Sequence, residues 1–302
     1  MAFTLFHLLQ ETYKRLGQWN ESVVTGSTLA KTAIEDSTLA NEGSDDDWNK
    51  GAYFHVYNSS VAGAAPEGEF VLITDYVDSS GKFTFNTLSC TPDAGDRYGY
   101  VSEFYPLQTM IGLANTTLQS LGTIPLIDKN TLISSAAVTE YQMEVAWKRG
   151  RPTRIDLQTS IGSTASHNAW ESITDYEYEP VTAGSTAGRI IFGSYLPTGR
   201  KLRIWYQAPH PYIQASTAPI YEGLEPELVT LSMVERALEW QNSRLQGGDQ
   251  FLMQRWNDAK QQAAMARAMY PVWKPKRKSK VLEIGGDGGD HLPYPYPYGP
   301  GP

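Results

Sequence analysis

The residues best suited to nucleophilic or metal chemistry are five histidines, His7, His55, His167, His210 and His291, and a single cysteine, Cys90. They are scattered, with no HExxH and no close histidine pair. One cysteine builds neither a disulfide nor a thiolate zinc centre. As a nucleophile it would need a histidine beside it in space, so following a strand it is expected to be a small, buried apolar residue. His210, between Pro209 and Pro211, reads as a structural turn residue. No GxSxG, Walker A loop or dinucleotide fingerprint is present. The triplet Asp45–Asp46–Asp47 offers oxygens to a hard cation, but three consecutive side chains do not converge on one ion and no EF-hand glutamate follows, so a solvated loop is expected. Gly285–Leu292 matches one copy of a calcium-binding nonapeptide, a pattern that works only by stacking tandem copies. The expectation is therefore no catalysis, no cofactor and no metal. An enzyme whose site is assembled from distant residues stands as a third reading.

The residues most suggestive of binding lie at the C-terminal end. Lys274, Lys276, Arg277, Lys278 and Lys280 form a basic cluster. Val281, Leu282 and Ile284 follow, then a Gly/Asp run, then Pro-Tyr repeats carrying Tyr294, Tyr296 and Tyr298. The cations suit an acidic protein surface more than phosphates or a membrane, given the chain's acidity. The apolar trio suits addition to a sheet edge, and the repeats favour an extended, polyproline-like strip. Together these residues read as a partner-docking arm.

Four helices and two β-rich blocks must position these features. Thr4–Leu16, Pro106–Leu121, Pro226–Leu245 and Asp249–Tyr270 carry apolar residues at helical spacing. Proline opens the second and third, Asp249 can cap the fourth, and glycines or Pro271 end them. Leu113, Leu118, Leu231 and Leu238 are the expected core of these helices. In the first β block, Phe70–Tyr76 and Phe83–Leu88 flank the turn Asp78–Gly81, and Arg97–Val101 follows. In the second, Val138–Trp147, Arg154–Thr159, Ala169–Tyr178, Arg189–Tyr195 and Lys201–Gln207 read as strands of a sandwich or jelly-roll-like unit. The expected fold class is α+β: a helical bundle core from distant segments, two antiparallel barrel- or sandwich-like β insertions and an extended C-terminal arm. The expected division is 1–50 (helix and acidic loop), 51–103 (first β domain), 104–137 (core helix and linker), 138–223 (second β domain), 224–270 (helical hairpin) and 271–302 (arm).

Composition narrows the classes. With 302 residues, 41% of them hydrophobic, the chain is not disordered throughout. No window approaches a membrane helix, and the start lacks the basic stretch of a secretory leader. Its 25 Lys+Arg against 33 Asp+Glu, a net charge of −8, argue against a nucleic-acid clamp.

The order of segments resembles neck proteins of tailed bacteriophages. The resemblance rests on Glu69–Tyr76, the turn to Gly81, Phe83–Leu88 and Pro92–Tyr98, leading into Phe104–Leu121. It continues through Gly188–Phe192, Leu196–Gly199, Leu202–Tyr206 and His210–Pro211 before Leu224–Leu238, and covers residues 51–122 and 138–240. It implies a structural virion protein at the head–tail interface, a connector or adaptor assembled in the host cytoplasm. Its implied partners are further copies of itself in a ring of about twelve, the portal, and tail, tail-terminator or collar proteins. DNA would pass through the channel, which an acidic lining repels rather than binds, and no membrane is involved. The alternative is a β-sandwich binding module, for carbohydrate or for fibre and collar attachment, using aromatics among Trp147, Trp170, Tyr176, Tyr178 and Trp205.

Overall fold

In the computed structural model the described residues are 2–26, 29–129, 131–143, 152–159, 169–179, 188–246 and 248–271. The docking-arm residues, His167, His291, Trp147 and the nonapeptide at 285–292 lie outside them.

The helices appear where spacing and caps place them: α1 (Leu5–Arg15), α2 (Leu107–Ser120), α3 (Pro226–Arg244) and α4 (Gln250–Met269). Asp249 caps α4, its carboxylate accepting the N–H groups of Phe251 and Leu252. The β structure exceeds expectation. Thirteen strands among the described residues form three antiparallel sheets. The first sheet orders β1 (Asn20–Val23), β6 (Arg97–Val101), β3 (Ala52–Tyr57), β4 (Phe70–Val77), β5 (Lys82–Phe85) and β2 (Ala33–Glu35) side by side, curled into a half-barrel. The second orders β10 (Trp170–Ile173), β9 (Arg154–Gln158), β13 (Leu202–Pro209) and β7 (Thr123–Asp128). The third orders β11 (Tyr176–Glu179), β12 (Arg189–Phe192) and β8 (Glu140–Gln142).

The expected helical bundle core with two β insertions is therefore wrong. The chain is mostly antiparallel sheet with four helices. The largest core is shared between them: Leu5, Leu9 and Tyr13 of α1, Met110 and Leu118 of α2, and Met233 and Leu238 of α3 close over Ala52, Phe54 and Val101 of the half-barrel. Strands β1, β2 and β7 lie in stretches that read as loop or linker, and their three to six residues gain order from their partners rather than from their own pattern. Of the expected core leucines, Leu118, Leu231 and Leu238 are buried and Leu113 is half-buried.

Strand β3 explains why sheet and helices are inseparable. Successive side chains point to opposite faces. Phe54 meets Phe6, Tyr13 and Trp19 edge-on beneath the helices. Tyr53 points into the half-barrel, stacked on Phe85 and Tyr98. Both faces of the sheet are thus cores. A separate core joins the second and third sheets through Ile155, Ile190, Phe192, Leu202 and Ile204.

The loop between β13 and α3 is fastened to the helices by buried polar groups. Asn115 of α2 donates to the Ile213 carbonyl and accepts the Ile213 N–H, both at 2.8 Å. Leu5 N–H donates to Ala218 O, and Ile220 N–H to Phe3 O. Phe54→Ala removes the ring common to three aromatic contacts with the N-terminal segment, and should destabilise the fold by about 3–5 kcal/mol in urea unfolding.

Candidate functional site

Three buried polar constellations and one exposed helical face are the candidates. The first lies in the half-barrel. Asp36, fully buried just past β2, accepts from Ser22 of β1 at 2.5 Å, from Tyr98 of β6 at 2.7 Å, and from the Thr38 hydroxyl and N–H at 2.6 and 3.0 Å. Burial alone would raise its pKa, but these donors outweigh it and hold the carboxyl below the ordinary range. Gly26 N–H donates to Glu35 O beside it, so the segment leaving β1 lies against β2 here. Gly81 is required nearby: its φ is +62°, and a Cβ would stand 2.0 Å from Asp36 O.

The second constellation groups His55, Asp96, Tyr53 and Ser59. Tyr53 Oη lies 3.0 Å from His55 Nδ1, and Nε2 faces Asp96 Oδ2 at 3.3 Å without the alignment of a hydrogen bond. Ser59 Oγ donates to Asp96 Oδ1 at 2.8 Å. Serine, histidine and aspartate are thus adjacent, but the hydroxyl is bound to the carboxylate instead of the imidazole. That arrangement does not activate a nucleophile. Asp96 also accepts the N–H groups of Ser59 and Asp93, each at 2.7 Å, and ties two loops together. Burial pushes the His55 pKa down despite the opposing carboxylates of Asp96, Glu67, Glu69 and Asp93.

The third constellation was not singled out in the sequence. Asp156 of β9, fully buried, accepts from Arg154 Nε at 2.5 Å, Arg203 Nε at 2.8 Å and Trp205 Nε1 at 2.9 Å. The guanidinium of Arg203 lies 4.6 Å from the Trp170 ring and 5.4 Å from that of Trp205. Arg154 covers Trp205 from 5.9 Å. Burial would raise the Asp156 pKa, but the Trp205, Arg154 and Arg203 donors bring it below its ordinary value. The available signal was Arg154-x-Asp156 beside Arg203-x-Trp205, two period-two pairs on strands that the sequence alone does not show to be neighbours.

The remaining sequence candidates are placed as follows. Cys90 is exposed, correcting its expected burial; it sits in a loop after β5 with no packing role to hide it. His210 is buried as a pin, its Nδ1 2.8 Å from Pro211 O and its Nε2 accepting the Tyr221 N–H at 3.2 Å. Asp45, Asp46 and Asp47 lie in an exposed loop whose carboxylates accept from Asp78 N–H, Asn49 and Ser44 N–H. No group of three or more His, Cys, Asp and Glu among the described residues is placed to hold a metal ion. Among the described residues no helix is long and apolar enough to cross a membrane. Tyr176 and Tyr178 pack on the core of the second β unit, whereas Trp170 and Trp205 belong to the arginine stack.

The exposed face belongs to α4. Leu252, Ala259, Ala263 and Ala266 are its buried residues, turned inward at helical spacing. Phe251, Met265 and Met269 remain 69%, 64% and 70% exposed. An open cleft of about 280 Å³ lies where α4 ends, between Glu222, Glu225 and Leu228 on one side and Met269 and Tyr270 on the other.

No protein-family model matches the chain, and no curated protein matches it.

Because burial lowers the His55 pKa, the unfolded chain takes up a proton more readily than the folded one as pH falls below about 6.5. Stability should therefore fall by up to about 1.4 kcal/mol per pH unit below that point relative to His55→Gln, measured by urea unfolding between neutral and mildly acid pH.

Proposed function

We propose that this protein is a structural component of the bacteriophage neck, a ring-forming connector between portal and tail with no catalytic role. The observation that carries the reading is the outward face of α4. A helix of 20 residues held by one inner stripe leaves Phe251, Met265 and Met269 to solvent. Methionines and aromatics are the side chains enriched at protein interfaces, and so much apolar exposure on one element favours a covered face. The polar constellations support the same reading, since Asp36, Asp96 and Asp156 each hold strands or loops together through saturated hydrogen bonds. The net charge of −8 suits a passage for DNA, because phosphates are repelled from an acidic wall. The docking arm read in the sequence at 271–302 comes after α4 in the chain and supplies cations and apolar residues suited to the same partner. The resemblance of residues 51–122 and 138–240 to phage neck proteins supplies the specific class.

The binding-module alternative draws on Trp170 and Trp205. Their rings are engaged by guanidinium groups, which leaves less ring face for stacking a sugar.

Met265→Glu combined with Met269→Glu should change the stability of the isolated chain by no more than about 0.5 kcal/mol, both sites being exposed. The pair should prevent incorporation into tailed particles, scored by mass spectrometry of purified virions and by imaging the head–tail junction. Wild-type occupancy of the doubly substituted protein, or absence of the wild-type protein from the junction, would refute the assignment.

A further inference from the structure

We propose that the outer face of the four-stranded sheet docks the acidic loop, residues 42–47, of a second copy of this chain; this rests on the ring-forming reading above. The register defines the face. Trp170 lies opposite Gln158, Ser172 opposite Asp156, Arg203 opposite Asp156, Arg154 opposite Trp205, and Trp205 opposite Ile127. Residues paired across an antiparallel sheet share a face, so all of these stand on the side away from Ile155, Leu202 and Ile204, which fill the core beneath.

The face is built and charged. Asp156 neutralises one of two guanidinium groups, which leaves this patch at about +1 on a chain whose total is −8. Its carboxylate fixes both arginines, and the Trp170 and Trp205 rings hold Arg203 between them. The cations are therefore positioned before any partner arrives, which lowers the ordering cost of binding. More than half of the Arg154 side chain remains exposed, and Ser172 and Ile127 are exposed on either side. Arginine and tryptophan in one patch match the composition of interface anchors.

The occupant follows from charge complementarity. Residues 41–47 are all exposed and carry Glu42, Asp45, Asp46 and Asp47. The loop is pre-shaped: Gly43 N–H donates to Asp78 Oδ1, and Asp78 N–H to Asp45 Oδ1. The loop belongs to the first β unit and the arginine face to the second, so two unlike surfaces of one chain complement each other. Such a contact is head-to-tail, and repetition of a head-to-tail contact closes a ring when the rotation permits.

The test is self-association of the full chain, followed by sedimentation and native mass at low and high salt. The expected result is an oligomer that weakens as salt screens the contact. Ser172→Glu puts an acidic group on the face at an exposed position. Glu42→Lys with Asp46→Asn removes negative charge from the loop. Each should weaken association roughly tenfold, and combining Ser172→Glu with Glu42→Lys should recover part of that loss by pairing the two new charges across the contact. Unfolding midpoints of every variant separate loss of fold from loss of contact. An oligomer indifferent to both sets of substitutions overturns this contact and leaves the ring intact. A chain that stays monomeric at every concentration overturns it as well. A face variant that still self-associates but no longer retains a different acidic protein of the particle also overturns the second copy as occupant.

Discussion

The half-barrel depends on one buried carboxylate. An open sheet of six strands ends in two edges, and here those edges are β1 and β2, separated in sequence by nine residues yet at opposite ends of the strand order. Asp36 reaches both: it follows β2 directly and takes the hydroxyl of Ser22 from β1 while Tyr98 donates from the neighbouring β6. A charge so deeply placed is tolerated only because its donors surround it. Every residue that depends on the curl of this sheet depends on that tie. Tyr53, Phe83, Phe85 and Tyr98 fill its concave side, and the convex side presents Phe54 to the helices.

From that sheet outward the protein is organised by shared surfaces instead of separate bodies. Helix α1 lies between the half-barrel and the loop after β13, bonded to Ala218 and Ser216 by its first N–H groups. Asn115 and His210 fasten the same loop from α2 and from the loop itself. Outside this fastened region lie the outer side of α4 and the arginine–tryptophan face. Both sit on elements whose inner sides are already occupied, so they can be covered without unpacking the fold.

The helices were legible because their signals are local. Pro226 at the first position, Asp249 at a cap and apolar residues at three- and four-residue spacing act within one turn of the chain. Strands β4, β6, β9 and β13 were legible for a similar reason, through β-branched and aromatic runs bounded by turns. Ala169–Tyr178 read as one strand and is two, because Thr174–Asp175 carries the chain from the second sheet to the third. Asn20–Val23 shows little alternation, being exposed at three of its four residues, and its order comes from pairing with β6 some 80 residues away. Asp36 stands among polar neighbours in Glu35–Asp36–Ser37–Thr38, and His55 within β3 between Phe54 and Val56. Thr38 and Tyr53 are local partners, but Tyr98, which donates to Asp36, and Asp96, which faces His55, lie 62 and 41 residues away, so spacing alone does not bring them together.

The pairing of α1 with α3 imposes an order on synthesis. The half-barrel has all its strands once Val101 has been made, and its inner core can form then. The apolar side of α1, with Leu5, Leu8 and Leu9, gains its full cover only when α3 emerges from Pro226 onward. At about 5–20 residues per second the interval between Val101 and Pro226 lasts about 6–25 s. During it the side of α1 that α3 will cover is open to chaperones and to other nascent chains. The last helices to be translated complete the first one.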